Sequence, residues 1–337
     1  MLLCLDSPTV EAPTVEAPTA KYTPSLPCKE CGGTVAEKGT SAGLCRGCLM
    51  KPAVRLKRGL PCPDFSGAAI APRCPTNVWA TSTDGNMKEY IDSTDHGRQL
   101  QSAAGFDVDK DHGPETFNPT EAGSRDDGAG AKSSSKLLRL RADGPLLETT
   151  TQMAFWLAPG EKSDGQFARN DKVLSDCTLT KRVHIGYKEL PHAIEYEVTF
   201  TLPAEEKHVS AQLEALTGYM PAEFSRFWTY NIEKGVLEEL SDGPGEQARP
   251  VVFSTADDAY AMGVYSPDQP SRGWEKVGYG RFRLKEDKVN KWNCAFRVAN
   301  PKGLAPGDYR FRMFVAVGTL EDVKATLKRL MGEFKSP

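Results

Sequence analysis

From Val78 to the C-terminus one pattern recurs: short runs with apolar or β-branched residues at alternate positions, cut by clusters of glycine, proline, aspartate and asparagine. The runs fall at Val78–Thr83, Gln99–Ala103, Leu137–Arg141, Leu147–Leu157, Thr178–Tyr187 and Ile194–Leu202. They continue at Val209–Ala215, Pro250–Thr255, Tyr260–Tyr265, Tyr279–Leu284, Lys291–Val298 and Tyr309–Val317. A period of two buries one face of a strand, so about a dozen such runs with turn residues between them predict a sandwich or barrel. Few stretches of period 3.6 interrupt them, which argues against alternating βαβ units. Hydrophobic residues make up 39% of the 337, enough for a sizeable core and against wholesale disorder. The expected fold is mainly β: a large antiparallel β-sandwich over residues 77–337. One helix is also plain. Thr319 and Asp322 have capping-box spacing, and Leu320, Val323, Leu327, Leu330 and Phe334 follow at helical period, which predicts a C-terminal helix over 320–334 on the outside of a sheet.

Upstream the character changes. Residues 1–27 contain Pro8-Thr-Val-Glu-Ala12 repeated as Pro13-Thr-Val-Glu-Ala17. Proline at every fifth position blocks a helix, so this segment reads as an extended tether. Residues 61–76, with four prolines, read as a second linker. Between them lie Cys28-Lys-Glu-Cys31-Gly-Gly and Cys45-Arg-Gly-Cys48. Each pair supplies two thiolates from one tight turn, and two such knuckles close a tetrahedral Cys4 site of the kind structural Zn²⁺ prefers. Four thiolates leave no position open for water, so this zinc is structural and its binding folds the module. The competing reading, a redox dithiol, wants a βαβ setting that is absent. Residues 28–60 are therefore expected to form a small N-terminal zinc ribbon with a basic tail.

The formal charge is −3 overall, yet residues 21–60 carry +6. Lys51, Arg55, Lys57 and Arg58 directly follow the second knuckle and are the candidate nucleic-acid-binding residues, because clustered cations beside a compact module suit a phosphate backbone. A solvated face or a protein-docking surface is the competing reading. No aromatic lies between the knuckles to stack on a base.

Other signals carry less. Gly39-Thr-Ser41-Ala-Gly43 imitates a nucleophile elbow but lies between the knuckles, where no strand–turn–helix fits. His112 and Glu115, like His192 and Glu195, share a spacing without a convincing helix. Asp107-Val-Asp109-Lys-Asp111 imitates a Ca²⁺ loop, with His112 and Asn118 where an EF-hand has glycine and glutamate; a weaker loop-type Ca²⁺ site is one expectation there, and a solvated acidic loop is the competing reading. Asp107–Ser135 is a long polar stretch, expected to be a functional or mobile loop. The densest polar constellation is Asp95-His-Gly-Arg-Gln-Leu-Gln101. His96 and Arg98, two apart at a strand start, share a face and call for a carboxylate; Glu121 and Glu246 are the glutamates beside Gly-rich turns. These four are the candidate catalytic residues, an imidazole–carboxylate set suited to proton transfer on a glycan. Strand-end hydrogen bonding and loop anchoring is the competing reading.

Asp95–Gln101, Asn118-Pro-Thr-Glu-Ala-Gly-Ser124, Thr151-Gln-Met-Ala-Phe-Trp156 and Ala261-Met-Gly-Val-Tyr-Ser-Pro267 together resemble a group of uncharacterised bacterial β-sandwich proteins. Their strand-rich layout is similar to the galactose-mutarotase-like supersandwich of sugar epimerases, polysaccharide lyases and glycosidase accessory domains. In mutarotases a histidine and a glutamate transfer protons, a role the resemblance would give to His96 and Glu246. The cysteine module resembles the zinc-ribbon superfamily, whose knuckles dock nucleic acid or protein. The leading expectation is a sandwich that recognises or processes a carbohydrate; the alternatives are a docking factor that acts through its basic ribbon on nucleic acid or protein, with the sandwich as a structural or interaction domain, and a structural protein without a small ligand. No apolar run approaches the length of a membrane helix, Met1–Leu5 is too short for a signal peptide, and the nine cysteines are an odd number, so the expected location is cytoplasmic.

Overall fold

The computed structural model describes residues 79–81, 87–92, 100–127, 133–267 and 274–334. The tether, the four cysteines with their basic tail, and His96 and Arg98 lie outside the described residues. The strands are β1 (Trp79–Thr81), β2 (Met87–Glu89), β3 (Gln101–Phe106), β4 (Pro119–Thr120), β5 (Lys136–Asp143), β6 (Leu146–Phe155), β7 (Lys162–Ser163), β8 (Gln166–Phe167), β9 (Leu174–Tyr187) and β10 (Leu190–Leu202). They continue as β11 (Ser210–Pro221), β12 (Arg226–Asn231), β13 (Val236–Glu239), β14 (Gly245–Gln247), β15 (Val251–Ser254), β16 (Ala261–Tyr265), β17 (Trp274–Leu284), β18 (Val289–Ala299) and β19 (Gly307–Gly318). One helix follows, α1 (Leu320–Glu333).

Fifteen strands join one antiparallel sheet in the order β13-β12-β15-β16-β19-β10-β9-β6-β4-β3-β11-β18-β17-β14, with β5 paired to β6. The sheet folds back on itself. Phe296 of β18 stacks on Phe311 of β19 with centroids 4.1 Å apart, although the two strands are remote in the pairing order. The hydroxyl of Tyr279 on β17 likewise accepts the Ser266 N–H beyond β16 at 2.8 Å. Alternate residues of each half meet between the layers: Tyr196, Val198 and Phe200 of β10 and Phe311, Met313 and Val315 of β19 against Leu213 of β11 and Trp292, Cys294 and Phe296 of β18. The expected antiparallel sandwich with a C-terminal helix is what the chain forms.

Helix α1 begins where its sequence signature placed it. Asp322 donates its N–H to the Thr319 hydroxyl at 3.2 Å, while its carboxylate accepts the Thr319 N–H at 3.0 Å, so the first turn is capped reciprocally. Leu320, Val323, Leu327 and Leu330 bury against Ala193, Val252, Ala261, Phe314 and Ala316, a second core on the outer side of the β16–β19–β10 half. That covers one outer face of the sandwich. Among the described residues no helix is long and apolar enough to cross a membrane.

Two features depart from the expected layout. The Asp107–Ser135 stretch is not loop throughout: Pro119 and Thr120 form the strand that bridges β3 to β6 and makes the sheet continuous. The aromatic run Arg226-Phe-Trp-Thr-Tyr-Asn231 forms β12, which alternation does not reveal because bulky residues occupy both faces. Phe227 packs on Phe253 at 4.1 Å, while Trp228 on the other face donates its indole N–H to Ser254 Oγ at 3.0 Å.

Candidate ligand-binding face

Register decides which side chains share the outward-directed side of the β3–β11–β18–β17 half, and Gln101, Ala103, Thr217, Asn293 and Ala295 on it are buried. Gln101 lies opposite Thr217, and Thr217 opposite Asn293, which lies opposite Gly280. In the next row Tyr219, Lys291 and Phe282 are neighbours. In a third, Ala103, Glu214, Ala295 and Gly278 are aligned.

Glu214 and Thr217 are three apart, so strict alternation would put them on opposite faces. A β-bulge between Glu214 and Leu216 adds one residue, sends both Ala215 and Leu216 into the core, and returns Thr217 to the outer face. The Thr217 hydroxyl then donates to Glu214 Oε2 at 2.9 Å. Lys291 Nζ sits 3.2 Å from the same oxygen, and the two side chains are 20% and 19% exposed. The ammonium lies 5.4 Å from the centroid of the Tyr219 ring and 5.5 Å from that of Phe282. Burial would raise the Glu214 carboxyl, but the Lys291 ammonium and the Thr217 hydroxyl hold it below its ordinary value. Burial would likewise lower Lys291, and Glu214 outweighs it, so the ammonium is held high. At neutral pH this is an ion pair between two aromatic rings.

The β17 glycines make room for Asn293 and Glu246. The Gly280 N–H donates to Asn293 Oδ1 at 2.9 Å, and a methyl at 280 would collide with that oxygen. A methyl at 278 would collide with the Glu246 carboxylate, which lies across the bare strand from β14. Glu246 is held there by Arg297 through two parallel bonds of 2.9 and 2.8 Å.

Of the expected catalytic set, only Glu121 and Glu246 lie among the described residues. Glu246 is on this outer face, paired with Arg297. Glu121 is inside the sandwich, 1% exposed, ion-paired with Lys181 and accepting the Ser102 N–H at 3.2 Å. Lys181 also donates to the Leu100 carbonyl at 3.1 Å. Burial would raise the Glu121 carboxyl, and the Lys181 charge holds it well below the usual carboxylate range. Glu121 and Glu246 therefore face different environments, one sealed and one on the surface. No signal in the sequence marked Glu214, Lys291 or Asn293. Tyr279–Leu284 and Lys291–Val298 read as strands with bulky core or cross-strand residues, and the outward glycines carried no information until their neighbours were known.

Asp107 and Asp109 commit their carboxylates to protein donors. Asp109 Oδ1 accepts the N–H groups of Asp111 and His112, each at 2.8 Å. Asp107 Oδ1 accepts the Val209 and Ser210 N–H groups at 2.8 and 3.0 Å, and its Oδ2 bonds His208 Nδ1 at 2.7 Å. Among the described residues no group of three or more His, Cys, Asp or Glu side chains is placed to hold a metal ion. His208 is itself a junction: its Nε2 lies 3.3 Å from Glu206 Oε2, and its ring stacks on Phe106 at 4.2 Å. Burial would lower the imidazole, but Glu206 and Asp107 outweigh it and raise it above its ordinary 6.5. Its folded-state value is thus above the unfolded one, so this contribution to stability is complete below about pH 6.5 and is lost as pH rises through the folded value. Asp107, held down by His208 after burial is offset, contributes above its unfolded value near 3.8 and loses that contribution in acid. Thermal unfolding followed from pH 5.5 to 8.5 should show the melting temperature falling with pH, and His208→Gln should flatten that fall. An unchanged slope in the variant would assign the pH dependence elsewhere.

No family model matches the chain, and no curated protein matches it. Among solved structures it is similar to the α-galactosidase from Lactobacillus brevis, with TM-score 0.34 and 12% identity over 81% of this chain and 32% of that one. It is similar to a putative aldose 1-epimerase from Klebsiella pneumoniae subsp. pneumoniae, with TM-score 0.31 and 10% identity over 58% and 57%. A third is the GH36 α-galactosidase AgaB from Geobacillus stearothermophilus, with TM-score 0.33 and 10% identity over 80% and 36%. The chain spans about a third of the galactosidases and just over half of the epimerase. Similarities of this size carry no inference about activity.

Proposed function

We propose that the sandwich recognises a neutral carbohydrate on the outer face of β3, β11, β18 and β17. The observation that supports this is the Glu214–Lys291 ion pair set between the rings of Tyr219 and Phe282. A sugar offers hydroxyls that both donate and accept, and apolar C–H faces between them. An ionised carboxylate and an ammonium, already paired with one another, match the hydroxyls without leaving an uncompensated charge. Tyr219 and Phe282 supply apolar surface for the C–H faces. Thr217 and Asn293 lie beneath and fix the acceptors. Glu214 is held ionised, which suits an acceptor and not a general acid, so recognition is favoured over turnover.

A glycan array probed with the full chain, followed by calorimetric titration of the best sugar, tests the reading. Tyr219→Ala and Glu214→Gln should each weaken binding by about tenfold or more, since each removes an interaction of at least about 1.4 kcal/mol. Circular dichroism checks that the variants fold. An array with no ligand, or variants that bind as the parent does, would sink the proposal.

A second reading rests on residues 21–60. Their two CxxC pairs and charge of +6 favour a zinc-bound docking module for nucleic acid or protein, with Lys51, Arg55, Lys57 and Arg58 as its contact residues. It is compatible with the first, because the two sets of residues are separate along the chain.

A further inference from the structure

Strand β5 gains little from the core. Among the described residues it pairs only with β6, and seven of its eight residues are exposed. Leu138 and Leu140 keep 49% and 48% of their surface in solvent. An edge of this length with exposed leucines is a template for another strand unless something protects it. A bulge between Leu137 and Arg139 disturbs the pairing at one end, but from Arg139 to Asp143 the register with β6 is regular.

That register sorts the side chains. Arg139 and Arg141 lie opposite Thr150 and Glu148 on one face, and Leu140 and Ala142 lie opposite Thr149 and Leu147 on the other. The edge thus alternates basic and apolar. Its cations are only loosely engaged: Arg139 reaches Glu148 at 3.1 Å while 62% exposed, and Arg141 reaches Asp143 at 3.4 Å while 53% exposed. Exposed pairs of this kind are worth little, so their arginines can exchange partners. Arg182 of the neighbouring β9, also 53% exposed, adds to the same face.

We propose that β5 takes up an extended acidic segment of a partner protein as an added strand, one in which acidic and apolar residues alternate. Acidic residues would meet Arg139 and Arg141, and apolar residues would cover Leu140 on the opposite face. A second copy of β5 fits poorly. A two-fold axis sets one residue opposite its own copy, and centring it anywhere from Arg139 to Arg141 brings arginine against arginine.

The test uses the full chain and three labelled, end-blocked octapeptides, followed by fluorescence anisotropy. One alternates valine and glutamate, one alternates valine and lysine, and one has the same valines and glutamates in two blocks. The alternating acidic peptide should bind about tenfold or more tighter than either control and weaken with added salt. The double variant Arg139→Glu with Arg141→Glu should reverse the preference towards the lysine peptide, a gain that a misfolded protein would not show. Equal binding of the blocked peptide would reduce the effect to charge alone and overturn strand addition. An unchanged acidic preference in the double variant would place the contact elsewhere and overturn it too.

Discussion

Lys181→Met will destabilise the sandwich by about 3–5 kcal/mol, the cost of leaving one member of a buried ion pair without its partner. Lys181 lies on β9 between Leu179 and Val183 in the inward-facing series, and its ammonium is sealed within the sandwich beside Glu121, at 4% and 1% exposure. The Leu100 carbonyl and the Ser102 N–H also bond the pair. With methionine at 181 the Glu121 carboxylate loses the Lys181 ammonium while buried against the Tyr196 phenol, which burial and Glu121 already push above its ordinary range. Denaturant unfolding should show the midpoint drop, and the melting temperature should fall by on the order of 10 °C for a domain of this size. The double variant Glu121→Gln with Lys181→Met should recover most of the loss, since it removes both charges together. A single variant costing under about 1 kcal/mol, the range of exposed ion pairs, would show that the pair is not sealed. The sign with pH follows from Glu121. Its folded value lies below its ordinary 4.5, so its contribution is present above the unfolded value and is lost as pH falls through the folded one.

Loss of one zinc per chain is the second large effect expected, on replacement of any of Cys28, Cys31, Cys45 or Cys48 by serine. Structural zinc binds such modules with about 10–16 kcal/mol at neutral pH, and that energy is what folds them. Elemental analysis of protein purified without chelator should find one zinc per molecule, and none after Cys28→Ser. The main melting transition should stay within about 2 °C, because all four ligands precede the first described strand at Trp79. The same pair of proteins, titrated with duplex DNA at two salt concentrations, tests the docking function. Zinc-loaded parent should bind with a steep salt dependence, and Arg55→Ala with Lys57→Ala and Arg58→Ala should flatten it by up to about one unit per lost phosphate contact. Metal-free parent protein would remove the ribbon from this chain.

The candidate site was far less legible than the fold. Alternation placed Lys181 in line with Leu179 and Val183, and strand parity alone would have turned it inward. A lysine is ordinarily assigned to solvent, so strand parity and residue type point in opposite directions at 181. The Gly-rich turn beside Glu121 marks the glutamate, but nothing near it in sequence marks Lys181, with which it pairs from 60 residues away. Glu214 and Thr217 were separated by the expected alternation, and only the bulge brings them together.

What the sequence determined by itself is whatever depends on neighbours a few residues apart. The period of two sets strands and the Thr319–Asp322 spacing caps α1, because each is written in local geometry. What only the tertiary structure decided is which polar groups meet. Pairing of β4 between β3 and β6 carries Glu121 to Lys181, and pairing of β11 with β18 carries Glu214 to Lys291. Those choices are made by register across strands distant in sequence, where one extra residue turns a side chain from core to surface.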